Sequence, residues 1–240
     1  MEFLCRDVEA EVWAPSPVLP LIRFIERKAS IASTGLDLLG LPEREAPPRL
    51  LSRLGKFDEI VSWYGANREE FRRCVEELRL PFRFLPALPP PEGREHAADF
   101  FLRQVGGAPP AIPRVPCERR DDEFVVIHPF SGSARKNWPL DKFRVVAEGL
   151  PDVRWCAGPE EVLPEATRFD DLYELARWLA RARLFIGNDS GIAHLAAAVG
   201  TPVIALFGPT DPAVWAPRGS HVRILPRMEN VTPSQVLQLV

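Results

Sequence analysis

Residues 184–208 (LFIGNDSGIAHLAAAVGTPVIALFG) constrain the fold of this chain more than any other stretch. Two apolar runs, 184–187 and 202–207, read as buried strands. The short alanine-rich stretch 191–199 between them reads as an apolar helix. A strand, a helix and a second strand in so short a span imply a crossover that returns the chain over a parallel sheet. The same alternation of short apolar runs and helical stretches recurs along the chain, so the fold class is α/β with parallel sheets.

In the first half, strands are expected at 11–14, 30–33, 59–64 and 82–85. Helices are expected at 18–28, 67–78 and 96–105. The middle one has Asn67 as cap, Glu69 and Glu70 in its first turn, and Phe71, Cys74, Val75 and Leu78 on one face. Residues 106–122 (GGAPPAIPRVPCERRDD) lack periodicity and hold four prolines, the pattern of an extended linker. In the second half, strands are expected at 124–128, 153–156, 184–187, 202–207 and 222–225. Helices are expected at 139–150, 170–181 and 191–199. The expected organisation is therefore an N-terminal domain over 1–106, a linker over 107–122 and a C-terminal domain over 123–240. Two α/β units joined this way favour a ligand cleft between them.

Composition narrows the function. With 240 residues, 46% hydrophobic and 26% charged, the chain is globular, and disordered, collagen-like and coiled-coil readings fall away. Net charge is −3, and residues 1–118 carry 16 basic and 18 acidic side chains against 14 and 15 in the remainder. With no basic half, no nucleic-acid partner is expected. Cys5, Cys74, Cys117 and Cys156 form no C-x-x-C pair and adjoin no histidine cluster, so they are expected to be reduced, mostly buried thiols, with no metal site. MEFLCRDVEA is not a signal peptide, and no apolar run of about 18 residues could span a bilayer. The expected location is the cytoplasm, with peripheral contact at the inner membrane face left open.

Two stretches carry candidate chemistry. Asn188-Asp189-Ser190-Gly191 lies where a strand gives way to a helix, and small residues there let a ligand approach free N–H groups at the positive end of the helix dipole. The plainer reading is that Asp189 or Ser190 only caps the helix. HPFSGSARKNWP, residues 128–139, also follows a strand. Ser131, Gly132 and Ser133 can form an anion-binding nest, and Lys136, one of only four lysines, supplies a point charge for phosphate. Here the plainer reading is a solvated basic loop. FGPTDPAVWAPRG (207–219) is a rigid loop that could wall a pocket, and the acids of WCAGPEE (155–161) could bind sugar or ribose hydroxyls or merely solvate a loop. No G-x-G-x-x-G, P-loop or G-x-S-x-G motif is present, which counts against a nicotinamide dehydrogenase, a P-loop nucleotidase and a serine hydrolase.

In the order HPFSGSARKNWPLDKF, WCAGPEE and GNDSGIAHLAAAVGTPVIALFGPTDPAVWAP, these stretches resemble glycosyltransferase family 9, the ADP-heptose:lipopolysaccharide heptosyltransferase group. The resemblance is strong over residues 123–225 and loose over 10–106. It implies a GT-B architecture, two Rossmann-like domains facing across a cleft, with the nucleotide-sugar donor on the C-terminal domain and a lipopolysaccharide or other glycan acceptor on the N-terminal one. It implies that Ser131, Gly132, Ser133 and Lys136 hold the donor pyrophosphate, that Asp189, Ser190 and Gly191 contact the donor at the helix start, and that His194 lies on the first turn of that helix, where it could equally be a packing histidine. The reaction would be an inverting, metal-independent transfer with no cofactor beyond the substrate, most naturally ADP-heptose. Family members open with a strand, a loop ending in Gly-Asp and a helix, the unit expected to hold the catalytic base. No such unit is found here, so about two dozen residues are expected to be missing, through a misplaced start codon or real degeneration, and no catalytic residue is assigned. The alternatives are a nucleotide-sugar-binding remnant of that family and a nucleotide-sugar epimerase on the same architecture.

Overall fold

The computed structural model describes residues 2–41, 45–120 and 122–240, the side chain of Glu123 excepted. In chain order the strands are β1 (Val12–Ala14), β2 (Lys28–Ser30), β3 (Ile60–Ser62), β4 (Phe82–Phe84), β5 (Asp122–His128), β6 (Val153–Trp155), β7 (Ala182–Asn188), β8 (Val203–Phe207) and β9 (Val222–Pro226). The helices are α1 (Ile31–Thr34), α2 (Pro48–Leu54), α3 (Glu69–Glu77), α4 (Ala97–Gln104), α5 (Leu140–Glu148), α6 (Leu172–Leu179), α7 (Gly191–Ala198), α8 (Pro212–Trp215) and α9 (Pro233–Leu237). Every strand pair is parallel.

The chain divides into two units. One comprises residues 1–93 and 100–108, the other 94–99 and 109–240. The expected boundary is thus redrawn. Residues 94–99 and 109–120, with Asp122, belong by contact to the second unit, and Asp121 lies outside the described residues. The stretch expected to be an extended linker is anchored along its length: Val115 N–H donates to the Ala198 carbonyl (2.9 Å), Arg120 N–H to that of Ala180 (3.0 Å), and Ala111 N–H to Asp99 Oδ1 (2.7 Å). Its prolines remove donors but leave the carbonyls and the intervening N–H groups free to bond.

The first unit carries two separate parallel pairs, β1–β2 and β3–β4. Phe71 on α3, fully buried, sits at the centre of a cluster with Leu36, Leu39, Leu50, Leu54 and Val75. Edge-to-face contacts join its ring to Tyr64, Phe82 and Phe84, at centroid separations of 5.7–5.9 Å. Gly65 is required here twice over: its φ is +74°, and a Cβ would lie 2.4 Å from the Phe71 ring. Three local expectations are corrected. Residues 18–28 form no α-helix; a 3-10 segment runs over Ser16–Leu21 with Pro17 and Pro20 in it. The strand expected at 30–33 ends at Ser30, and α1 follows, closed by Gly35 in the left-handed region. The expected cap Asn67 is replaced by Arg68, which makes no side-chain cap bond.

The second unit is a five-stranded sheet in the order β6-β5-β7-β8-β9. Helices α5 and α9 pack together on one face, and α6 and α7 pack on the other. Strands covered on both sides must be apolar throughout, which is why β7 and β8 read as unbroken hydrophobic runs. Phe185, Ile186, Ala205, Leu206 and Phe207 are fully buried. Ala193 and Ala196 are fully buried too, and their small side chains let α7 lie close to the sheet. Numbered from β5, the strand order is 2-1-3-4-5, so the winding direction reverses between β5 and β7. Open parallel sheets bind ligands in the crevice at the carboxyl ends of such a pair.

Candidate functional site

The loops that leave β5 and β7 are 129–139 and 189–190, and both candidate stretches therefore meet at the reversal point of the sheet. Asn188, at the end of β7 and wholly buried, ties them together. Its Nδ2 donates to the Pro129 carbonyl (2.8 Å), and its Oδ1 accepts from Trp138 N–H (3.0 Å). The side chain thus closes both ends of the 129–138 loop onto β7.

Within that loop Ser131 Oγ lies 2.8 Å from the Ser133 carbonyl and 2.7 Å from Asn137 Oδ1, and it accepts from Ser133 N–H at 3.4 Å. The Ser131 hydroxyl therefore shapes the turn, and its proton is committed inside it. Gly132 is exposed, and a Cβ built there would meet nothing within 4 Å. Lys136 closes a 3-10 turn (Ala134–Lys136) capped by Ser133 without a side-chain bond. Its ammonium lies 3.2 Å from Asp189 Oδ2.

Asp189 is nearly buried, and its Oδ2 also accepts from the Thr210 hydroxyl at 2.6 Å. Ser190 is the N-cap of α7, its Oγ accepting from Ala193 N–H at 3.3 Å. The capping reading and the ligand reading are thus compatible: Ser190 caps, while the N–H groups of Gly191 and Ile192 precede any intrahelical carbonyl partner. Gly191 resembles Gly132 in having open space where a Cβ would stand. Gly187 is the contrast. A Cβ there would sit 2.8 Å from the His128 carbonyl, so packing requires that glycine. Packing does not require Gly132 or Gly191, and neither has a positive φ; the room in front of them is left for something else.

His194, half-buried on the first turn of α7, has its imidazole pKa lowered first by burial and also by the His96 and Lys136 charges. The nearby Asp189 carboxylate and a backbone hydrogen bond to Trp215 pull the other way. His96 is lowered as well, chiefly by burial. Its Nε2 lies 2.8 Å from the Ala216 carbonyl, and its Nδ1 accepts from Ala98 N–H. Asp99 forms a two-point ion pair with Arg218 (2.9 and 2.5 Å). Residues 210–218 are therefore held from several directions, and Asp211 caps α8, a helix within the stretch expected to be a rigid loop.

On the other side of β5, residues 157–166 form a loop closed at its neck by a bridge between Cys156 and Thr167. The Arg168 guanidinium bonds the carbonyls of Glu161, Leu163 and Ala166. Inside the loop Glu161 Oε2 accepts from Gly158 N–H (2.6 Å) and lies 3.2 Å from His128 Nε2. Burial opposes ionisation of Glu161, but the hydrogen bonds from His128 and Gly158, with the His128 and Arg168 charges, outweigh it and hold its carboxyl below the usual range. Burial first, then Glu161, pushes the Cys156 thiol up to about 12, which leaves it inert. It is the one fully buried cysteine; Cys5, Cys74 and Cys117 are half-buried, and all four are free thiols.

Sequence reasoning named Ser131, Gly132, Ser133, Lys136, Asp189, Ser190, Gly191 and His194. It missed Asn188 as a staple, Thr210 as a partner of Asp189, and His128 as a partner of Glu161. Each missed residue ends or follows a strand of the second unit, and that position was the available signal. Among the described residues no group of three or more His, Cys, Asp or Glu side chains is placed to hold a metal ion. No described helix is long and apolar enough to cross a membrane.

Over 119 residues the chain is 38% identical to lipopolysaccharide heptosyltransferase 3 of Escherichia coli K12, covering 40% of this chain and 34% of that protein. Over 195 residues it is 34% identical to lipopolysaccharide heptosyltransferase 1 of Pseudomonas aeruginosa, covering 72% of this chain and 48% of the relative. The chain thus matches between about a third and a half of the length of these relatives. Among solved structures, a family 9 glycosyltransferase from Veillonella parvula superposes with a TM-score of 0.70 at 17% identity, over 94% of this chain and 85% of that one. Escherichia coli heptosyltransferase WaaC with ADP gives 0.66 at 15% identity, over 99% and 91%. These likenesses establish the GT-B-like α/β fold. The model of glycosyltransferase family 9 (heptosyltransferase) matches residues 108–238, more than half of the chain and nearly all of the unit that holds the crevice, and the chain belongs to that family.

Proposed function

We propose that this protein is a glycosyltransferase that moves a sugar, heptose by its family, from a nucleotide-diphosphate donor to a lipopolysaccharide core-type acceptor with inversion. ADP-heptose is the donor this reading favours, and no cofactor beyond it is invoked. The observation that carries the reading is the convergence, at the β5/β7 reversal point, of the Lys136 ammonium, the start of α7 and two glycines with open space before them. A diphosphate would take its hydrogen bonds from the N–H groups of 190–192 and the 131–133 turn, and its charge balance from Lys136. Glu161, ionised and fixed at the other flank of β5, would accept from hydroxyls of the donor ribose or sugar.

The chemistry is one displacement at the anomeric carbon. The bond from an acceptor hydroxyl oxygen to that carbon forms as the bond from the carbon to the diphosphate oxygen breaks, and the hydroxyl proton passes to a general base. Lys136 and the α7 start would stabilise the leaving diphosphate as its charge grows. A lipopolysaccharide acceptor would place the protein peripherally at the inner membrane face. Two other readings, a binding remnant and an epimerase, are separated from this one by assaying donor turnover with and without acceptor.

Titration calorimetry with ADP tests the donor site. Lys136→Ala should weaken binding by roughly 1.5–3 kcal/mol, the scale of a charge-assisted hydrogen bond. Equal affinity in the variant would return Lys136 to the role of a local partner for Asp189.

A further inference from the structure

His128 is an odd residue to find at the end of a core strand. Its side chain is only 3% exposed. One ring nitrogen, Nε2, faces Glu161 Oε2, and the other, Nδ1, is buried with no hydrogen-bond partner among the described residues. An orphaned buried nitrogen destabilises the fold, so folding alone would be as well served by leucine at this position. What the imidazole adds is the bond to Glu161. Gly158 N–H and His128 Nε2 both fall on Oε2, while Arg168 fixes the backbone of the same loop through three carbonyls. Both bonds fall on Oε2, and among the described residues Oε1 is left unused. An exposed glutamate would surrender rotamer freedom on meeting a ligand; here that freedom is already gone in the free protein.

We propose that His128 is a positioning residue which locks Glu161 as a hydroxyl acceptor and so sets the preference of this site for donors that carry the ribose hydroxyls over donors that lack them. The inference rests on the donor-site reading above and deepens it. His128 makes no contact with the donor itself; it acts through the carboxylate. Nε2 must carry the proton that Glu161 accepts, and in the neutral ring Nδ1 is then the bare nitrogen. The imidazole is therefore a fixed donor to Glu161, whatever occupies the crevice.

The test compares ADP, GDP, CDP and UDP with their 2′,3′-dideoxy counterparts by calorimetry, using the full chain and the pair that binds best. The wild-type protein should favour the ribonucleotide by about 10-fold or more, the scale of hydrogen bonds to a charged acceptor. His128→Leu should cut that preference to within about 3-fold, with affinity for the dideoxy form held within about 2-fold. His128→Gln, whose amide can still reach Glu161, should keep most of it, a rescue that a purely structural role would not produce. Should His128→Leu fail to give a native melting transition, His128→Asn, too short to reach Glu161, takes its place. If Glu161→Ala abolishes the preference while the His128 variants keep it, the positioning role is overturned and the donor reading stands. A wild-type protein that binds diphosphates without preferring ribose overturns the role of Glu161 and with it that of His128. If none of the four diphosphates binds, the donor reading itself falls and the inference falls with it.

Discussion

The two units of this chain use the same strand–helix grammar to opposite effect. In the second, five adjoining strands share one sheet, and its core strands are covered on both faces. In the first, four three-residue strands form two separate pairs, and order comes from an aromatic cluster around one phenylalanine. A wide sheet distributes its stability over many equivalent contacts, whereas a cluster concentrates it. The difference teaches where each unit is vulnerable: the first at a single side chain, the second at the polar groups that bind its loops to an otherwise apolar sheet.

Phe71→Ala puts that contrast to its severest test. It removes a fully buried ring with three aromatic partners and should cost the first unit about 3–5 kcal/mol. Amide exchange read separately over residues 2–93 and 109–240 should show loss of protection in the former alone. Equal loss in both would mean that the units fold as one cooperative body.

Asn188→Ala sharpens the other side of the comparison. It orphans Trp138 N–H and the Pro129 carbonyl beneath the 129–138 loop, at about 2–3 kcal/mol. Denaturant melts should register the loss, and the variant should lose ADP binding beyond what that loss of stability explains, because the loop carrying Lys136 is freed. Undiminished binding would show that the loop holds its shape without the staple.

The smallest effect is a matter of pH. His194 and His96 lie in the second unit, and burial lowers the pKa of both. A base with a depressed folded pKa takes up its proton in the unfolded chain first, so stability falls as pH drops below the ordinary value of 6.5 and stops falling at the folded pKa. Each such group contributes at most about 1.4 kcal/mol per pH unit. The Glu161 carboxyl adds a second window. Its folded pKa lies below 4.5, so its contribution is complete above that pH and is lost as pH falls through the folded value. Melting of His194→Gln between pH 5 and 7 should show a shallower slope than the wild-type protein, and amide protection of the first unit should not change over that range. An unaltered slope would shift the effect wholly to His96.

The same contrast explains what the sequence could reveal. Strands β5, β7 and β8 were legible because burial on both faces demands continuous apolar runs, and the loops after β5 and β7 stood out as polar breaks in that pattern. The first unit was harder. Residues 18–28 show helical spacing in Leu21, Ile22 and Ile25, yet only a 3-10 segment forms there, and the strand expected at 30–33 ends at Ser30, where the four-residue helix α1 begins. At the site, Lys136 and Gly191 were legible from residue type beside a strand end. Glu161 was legible as one of the acids of residues 155–161, but its tie to His128 was not; His128 and Thr210 acquire meaning only through partners 33 and 21 residues away in sequence, distances at which no local pattern speaks.

The pairing of Lys136 with Asp189 bears on how the crevice responds to ions in the medium. Seen from beyond a Debye length, an ammonium 3.2 Å from a carboxylate has no net charge. An approaching anion is therefore not steered by Lys136, so replacing that lysine should alter its rate of arrival very little. On contact the lysine exchanges an internal oxygen for an external one, with few mobile ions released. That side chain holds an anion by fit, and it does not draw one from afar.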